Sequence, residues 1–137
     1  MVWPTVSLRQ HIRNRVTVPD RRSRLLTRYV YVCHIHCVID LTRCEGFQWD
    51  AGNARKSVAR HRVSQAEAEQ IFFNEPLLLL DDTRHSQLEP RFHALGVTDD
   101  GRRLHITFTV RDKGRLIRII SARDMSRMER TRYGQDT

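Results

Sequence analysis

The sequence predicts an α+β domain: an antiparallel sheet of four to five strands, with two helices on its N-terminal side and one C-terminal helix. Three observations predict it. Residues 103–110 alternate cleanly, with Leu104, Ile106, Phe108 and Val110 on one side and Arg103, His105, Thr107 and Thr109 on the other. That is the period of a half-buried antiparallel strand. Asp99-Asp100-Gly101 just before it is a hairpin turn, with glycine supplying positive φ. Between Asp50 and Phe73, two segments carry helix-start residues followed by apolar residues at helical spacing.

Each element follows in order. Phe47-Gln48-Trp49 alternates as a short strand. Asp50 then caps a helix to about His61, with Ala54, Val58 and His61 on its inner face. Ser64-Gln65-Ala66-Glu67 fits a capping box, in which hydroxyl and carboxylate each satisfy an orphan backbone N–H. The helix it opens runs to about Phe73 and buries Ala68, Ile71 and Phe72. Asn74-Glu75-Pro76 ends it, because proline cannot continue the hydrogen-bond ladder. Leu77–Leu80 is an apolar strand, 81–90 a polar loop, and 91–98 a further strand. After the alternating strand, Arg111-Asp112-Lys113-Gly114 makes a turn, and a strand from Arg115 reaches Ile120. Ser121 with Asp124 three residues on reads as the start of a closing helix to about Tyr133. Helices cover one face of such a sheet. The other face is wet and carries Arg91, Arg103 and His105.

The 137 residues suit one domain of ordinary size. Net charge is +8, nearly all of it from arginine, since Lys56 and Lys113 are the only lysines. Such a surface favours nucleic acid, anionic membrane or an acidic partner. Residues 1–45 hold eight Arg against three Asp or Glu, so most of the excess lies there. That segment reads as a poorly ordered N-terminal extension, and 46–137 as the domain. It also holds all three cysteines, an odd count that is no disulfide framework. Cys33-His34-Ile35-His36-Cys37 has metal-ligand residue types, but no second pair follows at zinc spacing. No metal or other cofactor is expected. No apolar run is long enough to span a membrane, and the N-terminus has no apolar signal core, so a cytoplasmic protein without membrane association is expected.

Guanidinium groups stand on the strand from Arg115, at the corner after it and on the helix behind, an arrangement suited to phosphate. Four stretches in register resemble the BrnT family, toxins of bacterial type II toxin–antitoxin systems with a RelE-like ribonuclease fold. They are Phe47-Gln48-Trp49-Asp50, Ala59-Arg60-His61-Arg62-Val63, Glu89-Pro90-Arg91-Phe92-His93-Ala94-Leu95-Gly96, and Arg118-Ile119-Ile120-Ser121-Ala122-Arg123 with Met128-Glu129-Arg130 and Tyr133. The likeness covers about residues 46–134. Such proteins usually carry Asn where this chain has Ser57, and end the first helix Lys-His-Gly where this chain has Arg60-His61-Arg62. The lost glycine removes an easy left-handed helix stop.

The resemblance implies metal-independent RNA cleavage. That reaction needs a base for the 2′-hydroxyl, cations for the transition-state charge and an acid for the leaving 5′-oxygen. Arginine is no base, so Arg91, Arg118 and Arg123 would hold phosphate, and His61 or Glu129 would move protons. Arg103, His105, Arg127 and Arg130 would bind RNA beside them. His105 reads as a solvated strand residue, and His85 and His93 show no partner in the sequence. The partners implied are RNA and a BrnA-like ribbon-helix-helix antitoxin, with operator DNA bound only through the antitoxin complex. Two rival readings are a non-catalytic module that binds nucleic acid or antitoxin, and a structural protein with a solvated basic face.

Overall fold

The computed structural model describes residues 13–19, 25–32, 39 and 41–137, the first two stretches as backbone. Its strands are β1 (Arg13–Pro19), β2 (Leu25–Val32), β3 (Gly46–Gln48), β4 (Leu77–Asp81), β5 (Phe92–Val97), β6 (Arg103–Arg111) and β7 (Leu116–Asp124). The helices are α1 (Ala51–His61), α2 (Gln65–Gln70) and α3 (Arg127–Asp136). Strands β3 to β7 form a five-stranded mixed sheet, which the β1–β2 hairpin extends to the order β1-β2-β4-β5-β6-β7-β3. The Cys33–Cys37 cluster and much of the stretch read as a poorly ordered extension lie outside the described residues.

The sheet is not purely antiparallel. β4, β5, β6 and β7 are antiparallel in succession, but β3 lies parallel to β7, and β2 parallel to β4. β3 pairs with the last strand, so most of the domain forms the connection between them. A parallel pair requires such a long crossover.

The helices also depart from the expected layout. α2 stops at Gln70, and a turn carries the chain through Ile71–Phe73. Ala68, Ile71 and Phe72 are nonetheless fully buried. β7 runs on to Asp124, so Ser121 is a strand residue. The cap of α3 is Ser126, whose hydroxyl accepts from the Glu129 N–H while Glu129 accepts from the Ser126 N–H. The sheet pairing wins over the local cap signal because residues 121–124 sit opposite β6.

α1 differs in which side it buries. Val58 is 49% exposed and His61 is exposed, whereas Ser57 is buried. The helix lies along the edge of β7 beyond the end of β3, where the strand's backbone groups need partners. Asn53 Nδ2 donates to the Ile119 carbonyl at 2.8 Å, and the Ala122 N–H donates to Ser57 Oγ at 3.1 Å. A helix that completes a sheet edge buries polar side chains, so apolar spacing misplaces its inner face.

One face of the sheet is apolar. Leu77, Leu79, Phe92, Ala94, Leu104, Ile106, Phe108, Ile117, Ile119 and Ala122 meet Val63, Ala68, Ile71 and Phe72 there. Phe72 and Phe108 pack edge-to-face at 5.2 Å. On the opposite face a smaller group, Leu78, Leu80 and Leu95 with Met125 and Tyr133, docks α3. Among the described side chains, the rest of that second face is polar.

Candidate functional site

A β-bulge decides what the second face carries. Thr107 pairs with Ser121 and Phe108 with Ile119, so Ile120 is an extra residue in β7. Arg118 and Arg123 are an odd number of residues apart and would point to opposite faces of a regular strand. The bulge puts both on the second face, opposite Thr109 and His105. Pairing across β5, β6 and β7 then gives two rows there: His93, Thr107, Ser121; and Leu95, His105, Arg123. Arg91 stands one residue before β5, in phase with His93. It therefore flanks Thr109 from the side opposite Arg118. Backbones two strands apart are about 10 Å from one another.

The three arginines differ in their surroundings. Arg118 Nη2 contacts Asp50 Oδ2 at 2.6 Å, with both side chains part-exposed. Asp50 is also the cap of α1, and its carboxyl is held low first by the Asn53 N–H and then by Arg118. Arg91 Nε is buried without a hydrogen-bond partner among the described residues. Arg123 makes a two-pronged contact with Glu129, at 2.8 Å on each oxygen. Glu129 is only 5% exposed. Burial raises its pKa, but Arg123 and the Ser126 N–H outweigh burial and hold it down to about 2. A carboxylate held so low is a weak base.

His105 is not a solvated strand residue. α3 brings Glu129 over it, and it is 4% exposed, with neither ring nitrogen hydrogen-bonded among the described residues. Burial, then Arg123, pushes its pKa down to about 3, so it is neutral at physiological pH. Its ring centroid lies 4.7 Å from that of His93, which burial likewise keeps neutral against the opposing pull of Asp82.

His61 sits apart from this row, at the exposed C-terminus of α1. Its carbonyl and that of Arg62 accept from Arg102. Arg102 also holds both Asp124 oxygens and Glu67 Oε1, so one planar cation closes α1, α2 and the end of β7 together. Those contacts, Asp124 first, raise its pKa. Arg103 and Arg127 are exposed, and Arg130 Nε donates to the Met125 carbonyl, so these three form a basic rim around the start of α3.

Sequence reasoning missed the loop between β4 and β5. Asp82, 7% exposed, receives His85 Nδ1 at 3.0 Å on both oxygens, and its Oδ2 lies 3.5 Å from His93 Nε2. The loop is cross-tied: the Asp82 N–H donates to the Arg91 carbonyl, Ser86 Oγ to the Asp82 carbonyl and the Arg91 N–H to Ser86 Oγ. Thr109 Oγ1 donates to the Pro90 carbonyl, which lays the loop against the polar face. An Asp three residues before a His in a polar loop was the available signal. Without the strand register it was indistinguishable from surface charge.

Among the described residues no helix is long and apolar enough to cross a membrane. A comparison with curated proteins gives no match. The family model described as ribonuclease toxin, BrnT, of type II toxin–antitoxin system matches residues 49–129, more than half of the chain. The match takes in strands β4 to β7, all of α1 and α2, the β4–β5 loop and the Arg118–Glu129 segment, and the chain belongs to the BrnT family of type II toxin–antitoxin ribonuclease toxins.

Proposed function

We propose that this chain cleaves RNA without a metal ion, acting in the cytoplasm to inhibit translation and growth, and that a BrnA-like ribbon-helix-helix antitoxin neutralises it. Operator DNA is then bound through the antitoxin complex. The observation that carries this reading is the bulge at Ile120, which sets Arg118 and Arg123 on the sheet face shared with Arg91. Guanidinium groups fixed on rigid strands bind phosphate and stabilise the charge that grows on it during cleavage. Arg91 and Arg118 suit the reacting phosphate: one has a buried nitrogen without a partner, the other an exchangeable surface partner. Arg103, Arg127 and Arg130 suit the flanking backbone.

Producing the full chain without any antitoxin tests the reading. Growth arrest with fragmented transcripts is expected, and the purified protein should cleave RNA in the presence of a chelator. Arg118→Ala should lower cleavage about 100- to 1,000-fold, the usual loss on removing one preorganised donor. Intact RNA with abundant folded protein would overturn it. That result would favour a binding module without catalysis, a reading supported by the carboxylates already paired with Arg118 and Arg123.

A further inference from the structure

We propose that His85 is the general base of the RNA cleavage proposed above, oriented by Asp82 and backed by His93; the assignment rests on that ribonuclease reading. Asp82 is buried and acceptor-only, and it fixes Nδ1 of His85 as the protonated nitrogen. The other nitrogen, Nε2, keeps its lone pair and has no partner among the described residues, on a side chain 61% exposed. A buried carboxylate holding one imidazole nitrogen while the other faces substrate is the arrangement that makes histidine an oriented base. His93 closes the far side of Asp82 and is anchored by Thr107 Oγ1 at 3.1 Å from its Nδ1. The carboxylate therefore cannot swing toward solvent.

Position supports the role as well as chemistry. The Ser86 cross-ties bring the two ends of the loop together, so His85 is carried beside Arg91. A phosphate held by Arg91 would lie on the side of the sheet that His85 overlooks. The two groups considered from sequence are less suited: Glu129 is consumed by Arg123, and His61 stands at the end of α1.

The step balances without a further reagent. His85 Nε2 takes the proton of the 2′-hydroxyl, the 2′-oxygen bonds to phosphorus, and the P–O5′ bond breaks. The 5′-oxygen takes a proton from solvent and the histidinium returns its own. The products are a 2′,3′-cyclic phosphate and a 5′-hydroxyl.

The test uses the full-length purified protein and a short RNA oligonucleotide, with products identified by mass. His85→Gln should lower kcat about 100- to 10,000-fold with little change in KM, and should remove the rising limb of the pH–rate profile. Added imidazole should restore part of the rate to His85→Gly. Asp82→Asn, a change at a positioning residue, should shift that limb and lower kcat less. His85 is exposed, so its variants should keep the wild-type circular dichroism and melting temperature. If the wild type cleaves and His85→Gln cleaves equally fast with the same pH profile, the assignment is wrong while the ribonuclease reading stands. If the wild type leaves the RNA intact, both fall.

Discussion

The two faces of the sheet are built on opposite terms. The first is closed by Ile71, Phe72 and Val63 over a continuous apolar layer. Among the described side chains, the second has apolar contact where α3 docks, and elsewhere carries Asp82, His93, His105, Thr107, Arg118 and Arg123. Burial of apolar area stabilises the fold at about 25 cal/mol per Å². A buried polar group returns little net stability even when paired and costs about 1–3 kcal/mol when unpaired. Stability should therefore reside on the first face and chemistry on the second.

Truncation on the apolar face should have the largest effect. Phe108 is fully buried and touches both Phe72 and Phe92. Phe108→Ala should cost about 3–5 kcal/mol, read as a lowered denaturation midpoint. A loss under about 1 kcal/mol would break the contrast.

The Arg123–Glu129 pair tests the polar face. Arg123→Ala leaves a carboxylate of 5% exposure without its main partner. The expected loss is about 2–3 kcal/mol, below the 3–5 of a fully enclosed pair because the Arg123 side chain is a third exposed. Cleavage lost in Arg123→Ala thus mixes stability with chemistry. Arg118→Ala breaks only a surface contact, should leave the midpoint nearly unmoved, and is the cleaner probe.

Acid should act through the polar face. His105 protonates near 6.5 when unfolded and near about 3 when folded, so the unfolded chain binds more protons in between. Its contribution is complete above about pH 6.5 and is lost as pH falls toward 3; His93 moves in the same direction. Glu129, shifted from 4.5 to about 2, adds a loss that begins below about pH 4.5. Arg123, Asp82 and the titratable His93 also face this pair. His105→Leu removes two unpartnered nitrogens and should gain about 1 kcal/mol at neutral pH. It should also flatten the decline between pH 6.5 and 4.5, followed by urea titrations at stepped pH. An unchanged slope would mean that His105 is not shut away from water.

The apolar face was legible because its signal is local. Alternation along β6 gave Leu104, Ile106 and Phe108, and the Ser64–Glu67 capping box is present as read. The polar face was not legible because its contacts join residues far apart. Nothing near Ile120 announces a bulge, yet that residue decides where Arg118 and Arg123 point. The residues that hold α1 in place were hidden for the same reason. Ser57 serves the β7 backbone, but its partner is 65 residues away. Arg102 stands between the Asp99–Gly101 turn and β6, and its acceptors on α1, α2 and β7 lie 22 to 41 residues off.

Arg62 gives the smallest and most exacting test. The missing glycine does not alter the helix stop: Arg62 itself adopts the left-handed conformation at φ 53°, and its N–H still reaches the Ser57 and Val58 carbonyls. A side chain there costs roughly 1–2 kcal/mol, and glycine returns part of that through its freer unfolded state. Arg62→Gly should therefore stabilise by about 0.5–1 kcal/mol, seen as a raised melting temperature. The exposed Arg62 side chain lies outside the Asp82–His85–Arg91 cluster, so cleavage should be unaffected. If stability fell instead, the left-handed turn would owe its place to the Arg62 side chain rather than to the Arg102 guanidinium that grips its carbonyl.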